Sequence, residues 1–130
     1  MKTAIKITEF IYKILNVTDL TSIISGKICR LDKPKSSEKQ DIVINSLPLP
    51  RGYHKMQNTV ININCYAKNI NGIPNINKLT QIQDKVIDIL KNYEQHDNNF
   101  YYEVVETQVL EEIQQNSMSF VNIKLNIHTK

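Results

Sequence analysis

Glycine is scarce in this chain, three in 130 residues, and that scarcity excludes one class of chemistry at once. A loop that cradles phosphate needs glycines so that backbone N–H groups can close around the anion. No GxGxxG or P-loop run occurs, and HExxH, GxSxG and EF-hand patterns are missing as well. Cysteines number two, Cys29 and Cys65. They are too far apart for CxxC chemistry and too few for a disulfide scaffold, and each lies in an apolar stretch that suits a buried thiol. No apolar run approaches the roughly 20 residues of a membrane-spanning helix, so a soluble protein is expected. In MKTAIKITEFIYKIL, Glu9 and Lys13 interrupt the apolar residues before a signal-peptide core can form, which argues against secretion. The length suffices for one hydrophobic core without metal or disulfide staples, and a single domain over residues 1–130 is expected.

What is present is charge laid out in blocks. The net charge of +3 is too mild to argue nucleic-acid binding by itself. Residues 27–55, however, hold Lys27, Arg30, Lys33, Lys35, Lys39, Arg51 and Lys55 against Asp32, Glu38 and Asp41. Residues 84–112 hold Asp84, Asp88, Glu94, Asp97, Glu103, Glu106, Glu111 and Glu112 against Lys85 and Lys91. The chain is electrically two-sided in sequence. Segregated charge of opposite sign suits head-to-tail assembly, in which two different surfaces of one protein meet and close into a ring if the rotation permits.

Hydrophobic periodicity supplies the elements. Phe10, Ile11, Ile14 and Leu15, with Ile7 a turn earlier, predict an amphipathic helix over residues 8–16. Thr18 is placed to cap a second helical turn in DLTSII, which Ser25-Gly26 would end with glycine in a left-handed conformation. KICRL and DIVINSL read as short strands. DKPKSSEKQ between them reads as an exposed loop with nothing to bury, and the prolines and glycine of PLPRGY stop regular structure. In NTVININCYAK, Ile61, Ile63 and Cys65 alternate with Asn62, Asn64 and Tyr66, the period of a half-buried strand whose asparagine side is wet or faces a partner. NINGIPN is a turn-rich connector. Leu79, Ile82, Val86, Ile89, Leu90 and Tyr93 then mark the main helix. NFYYEVVETQVLEEI alternates through Tyr101, Glu103, Val105, Thr107 and Val109, SMSFVNIKLNIHTK alternates after it, and QQNS between them predicts an antiparallel hairpin. The NIN echoes follow no fixed period, which excludes a solenoid. The expected fold class is α+β: a mostly antiparallel sheet of about five strands packed against two main helices, in the order α-β-β-β-α-β-β.

Candidate chemistry is thin. His54, His96 and His128 lack ligand spacing with either cysteine. His96 and Asp97 are adjacent loop residues with no nucleophile nearby in sequence. Glu103, Glu106, Glu111 and Glu112 are neighbours on a strand or hairpin, where carboxylates blunt sheet-edge pairing more often than they perform acid-base work. Tyr101 and Tyr102 lie in an acidic strand without the basic and aromatic run of RNA-binding sheets. No catalytic residue, metal site or cofactor is assigned, and an enzyme is not expected. Two loops remain: Lys33, Lys35 and Lys39 on one, Leu49, Arg51, Tyr53, His54 and Lys55 on the other. They are candidates for a subunit interface or channel lining, with the four glutamates as acidic counter-surface. Alternatively they would serve a small non-specific nucleic-acid-binding module that holds phosphates.

In element order and length the chain resembles the phage tail-completion family, the small head-tail joining or tail-terminator proteins at the neck of tailed bacteriophages. TEFIYKIL leading through LTSIISGKICR resembles that family's first helix and strand, and DIVINSLP its second strand. TVININCYAKNINGIPNINKLTQIQDKVIDIL resembles the third strand and long helix. The resemblance implies a structural virion protein without an active site, located in the neck or tail and in host cytoplasm during assembly. It implies a six- or twelve-fold ring that joins or seals the connector–tail junction, with a portal-side ring and a tail-side protein as neighbours. DNA would pass through the lumen without sequence-specific contact, and no membrane would be involved.

Overall fold

A computed structural model describes residues 4–34, 37–46, 58–96, 100–111 and 117–129. The first helix, α1 (Ala4–Leu15), begins four residues before the expected start because Ile7 belongs to the same buried stripe as Ile11, Ile14 and Leu15. A single helical turn, α2 (Thr18–Thr21), buries Leu20. Thr18 is its first helical residue rather than its cap. The cap position is Val17, in extended backbone and without a side-chain hydrogen bond. Gly26 does not adopt a left-handed conformation either; positive φ falls instead on Leu31, Asn71 and Gly72. Gly26 is required for space: a Cβ there would lie 2.2 Å from Asp41 Oδ1 and 2.8 Å from the Asp41 backbone nitrogen.

The strands are β1 (Ile28–Arg30), β2 (Ile42–Ser46), β3 (Asn58–Lys68), β4 (Phe100–Glu111) and β5 (Met118–Thr129), with α3 (Ile76–His96) between β3 and β4. They form a sheet in the order β1-β2-β3-β5-β4, with β1 parallel to β2 and every other pair antiparallel. The fold is α+β, as expected, with the helices on one face. Asn75 Oδ1 accepts the Lys78 N–H at 3.3 Å and caps α3. Just before it, Asn71 and Gly72, both at positive φ, turn the chain so tightly that Ile70 and Ile73 exchange both backbone hydrogen bonds.

The core lies between helices and sheet. Ile61, Ile63 and Cys65 of β3 face Ile42 and Ile44 of β2 and Val121, Ile123 and Leu125 of β5, all within a few per cent of complete burial. Ile7, Ile11 and Leu15 of α1 and Leu79, Ile82, Val86 and Leu90 of α3 close over them. Phe10 and Tyr93 lock α1 to α3 edge-to-face at 5.6 Å. The opposite face carries an amide row: Asn122 Nδ2 donates to Asn64 Oδ1 at 2.6 Å and to Asn62 Oδ1 at 3.2 Å, and Asn62 Nδ2 donates to Asn45 Oδ1 at 3.4 Å.

Candidate assembly surfaces

The two ends of the sheet differ in length, cover and charge. At one end, β4 pairs with β5 over its whole length, but every described side chain from Glu103 to Glu111 is exposed. A bulge between Val104 and Glu106 leaves Val105 as the extra residue and switches the faces of the strand. The single alternation expected from Tyr101 to Val109 is therefore broken. Tyr102, Val104, Thr107 and Val109 share the helix-side face, and Glu103, Glu106, Gln108 and Leu110 the other. Four apolar side chains, Val104, Val105, Val109 and Leu110, are left in water, Val105 at 58% exposure. Of the expected acidic set, Glu103, Glu106 and Glu111 stand exposed along this strand, with Glu106 3.9 Å from Lys124; Glu112 lies outside the described residues.

At the other end, β1 is three residues long. Beside it Ile5 and Leu31 are 76% and 73% exposed, and they line a groove of about 360 Å³ together with Thr8, Glu9, Arg30 and Ser46. Leu31 holds φ at 81°, although its backbone N–H donates normally to Ile44 at 2.9 Å. A bulky residue in the left-handed region is a conformational cost, and such costs concentrate at working surfaces. Two charged groups line the groove itself, Glu9 and Arg30; across Glu9, Lys6 and Lys13 of α1 line a neighbouring hollow with Phe10. Glu9 is matched by Arg30, whose Nη1 lies 2.7 Å from its carboxylate and whose guanidinium sits 4.9 Å from the Tyr12 ring centre.

The lysine-rich loop behaves differently from expectation. It does bury something. Lys33 lies 5.3 Å from the Tyr66 ring centre and donates to the Ser37 carbonyl at 3.0 Å. Glu38 reaches Lys68 at 3.0 Å. Asp41, almost fully buried, accepts the Lys27 N–H at 2.9 Å and the Ser37 hydroxyl at 2.6 Å. The loop thereby joins one end of the amide-bearing face, where Tyr66, expected on a wet side, is buried with Val43 and Met118. Lys39 is exposed. Lys35, Leu49, Arg51, Tyr53, His54 and Lys55 lie outside the described residues.

Neither thiol is placed for catalysis. Complete burial pushes the Cys65 thiol far above its usual range, and Cys29, only half-buried against the expectation of two buried thiols, is raised by desolvation and then by the Asp41 charge. The Tyr102 phenol is raised by burial and by Glu94 and Asp88. Among the described residues, no group of three or more His, Cys, Asp or Glu side chains could hold a metal ion, and no helix is long and apolar enough to cross a membrane.

The site reading from sequence missed Val104, Val105, Val109, Leu110, Ile5 and Leu31. A signal existed for β4: the doublets Val104-Val105 and Val109-Leu110 put apolar residues on both sides of one strand, and one core cannot cover both.

No protein-family model matches the chain, and no curated protein sequence does. Among solved structures, a crystal structure from Akkermansia muciniphila aligns at 12% identity with a TM-score of 0.33, over 69% of this chain and 40% of its own. A likeness of that size carries no functional argument.

Proposed function

We propose that this protein is a structural subunit that assembles head to tail with copies of itself. We further propose that the assembly is a six- or twelve-fold ring at the neck or tail of a tailed bacteriophage, joining or sealing the connector–tail junction around the DNA channel. The observation that carries the assembly is the presence on one molecule of two apolar sheet ends of different charge, Val104–Leu110 among glutamates and Ile5 with Leu31 at a paired Glu9–Arg30 with Lys6 and Lys13 beyond it. Strand spacing puts the ends about 19 Å apart, so one neighbour cannot cover both with the same patch and the contact is heterologous. The phage setting rests on the resemblance in element order. Native mass spectrometry at about 10 μM, together with protein identification in purified virions, tests the reading. Ring-sized species and presence in virions are expected; a strict monomer absent from virions would overturn it. The nucleic-acid reading has less support, because Lys33 is turned onto its own chain. A salt-dependent mobility shift with duplex or single-stranded DNA would revive it.

A further inference from the structure

Resting on the assembly reading, we infer that the subunit contact is made by the β4 bulge of one copy seating in the Ile5–Leu31 groove of the next, with Val105 as the inserted side chain. Three independent features meet in this pairing. The bulge supplies the knob: Val105 is the unpaired residue of the ladder, 58% exposed, and an irregularity of this kind aims a side chain away from the sheet. The groove supplies the hole. Its volume of about 360 Å³ exceeds the ~150 Å³ of an apolar cavity that admits benzene, and its walls include Ile5 and Leu31, the latter held outward at positive φ.

Charge supplies the direction. Glu103 and Glu106 stand on either side of Val105 along β4, and Lys6 and Lys13 of α1 lie beside the groove, across Glu9. Glu9 and Arg30, the charged groups that line the groove, lie 2.7 Å apart and offset each other, so the α1 lysines set the sign of this end. The reverse arrangements, β4 against β4 or groove against groove, would bring like charges together and leave one apolar end uncovered. The occupant of each surface is therefore a second copy of this chain, and the geometry propagates in one direction.

Cross-linking reads the contact directly. In a Cys29→Ser background, a copy with Val105→Cys and a copy of different mass with Leu31→Cys are mixed and treated with a short bis-maleimide. The expected result is a covalent heterodimer, with a ladder of multimers when both substitutions share one chain. It should fall at least tenfold when Leu31→Cys is replaced by Thr80→Cys, an exposed control on α3. As a second measurement, Glu106→Lys should weaken association at least tenfold while leaving the circular dichroism spectrum unchanged. Oligomers by native mass spectrometry without the specific cross-link would overturn this contact and leave the assembly reading standing. Monomer with no cross-link at any concentration would overturn both. Equal cross-linking to Thr80→Cys would show random collision and overturn the contact.

Discussion

β3 and β4 are nearly equal in length, eleven and twelve residues, both mix apolar with polar residues, and both pair with β5 along most of their length. Their fates are opposite. Ile61, Ile63 and Cys65 are completely buried, while Val104, Val105, Val109 and Leu110 remain in water. The difference lies in what covers them. Two helices side by side, each about 10 Å wide, span about 20 Å, or roughly four strands at their usual spacing. β3 sits mid-sheet under that layer. β4 is the terminal strand, and beyond Tyr102 its described side chains lie outside the helices' cover. Apolar area at β3 stabilises the fold, whereas the same chemistry at β4 is left in water.

The largest effect that can break this contrast comes from the core side. Ile63→Ala should destabilise the protein by about 2–5 kcal/mol, since it empties a site walled by Ile44 and Ile123. Urea unfolding at low protein concentration measures it. A loss below about 1 kcal/mol would mean that β3 is no better packed than β4. Next comes Gly26→Ala, where the added Cβ meets the Asp41 carboxylate and, more stubbornly, the backbone of Gln40 and Asp41 at 2.8 Å. Overpacking of this kind should cost about 1–3 kcal/mol. Adding Asp41→Ala should not restore it, because the backbone contacts persist; full recovery would place the clash on the carboxylate alone.

Much of the fold was legible because period and burial agree. The alternation from Asn58 to Lys68 gave β3 with its true limits, and the helical spacing from Leu79 to Leu90 gave α3 with its buried face. Legibility failed where a neighbour decides the outcome. Tyr66 follows the asparagine phase of β3 but is buried because Val43, Met118 and Phe120 pack around it and Lys33 lies over its ring. Gly26 lies where a helix end would use its backbone freedom, yet it is there to make room for Asp41. The bulge at Val105 is a register event between β4 and β5, and alternation within one strand carries no trace of the partner's register. Charge blocks pointed to two surfaces. Which apolar residues accompany them depended on the reach of the helix layer.

A smaller effect separates the buried strand from the exposed one by pH. The folded pKa of Cys65 is raised by burial, while an unfolded thiol titrates near 8.5. Below about pH 8 both states hold the proton and the group has no influence. As pH rises further, the unfolded chain releases it first, and stability falls by up to about 1.4 kcal/mol per pH unit. Between pH 8 and pH 10, Cys65→Ala should therefore lose about 2 kcal/mol less than the parent, read as the difference between two series of urea melts. Parallel slopes would mean that the interior of β3 admits a thiolate. β4 holds no thiol; its raised group is the Tyr102 phenol, whose contribution begins at about pH 10 and is common to both series.

The smallest effect on stability is the most discriminating. Val105→Asp removes an apolar side chain that is already 58% exposed and places a charge on the outer strand of the sheet. Substitutions at such positions ordinarily change stability by less than about 0.5 kcal/mol, and a charge on an edge strand guards against non-specific strand pairing. Glu103 and Glu106 add some repulsion, but at an exposed site water screens it to a few tenths of a kcal/mol. The unfolding midpoint of the monomer should therefore stay within error of the parent, while association measured by native mass spectrometry falls at least tenfold. A loss of more than about 1.5 kcal/mol in the monomer would show that Val105 supports its own fold, as Ile63 does. The two strands would then differ in degree of cover rather than in purpose.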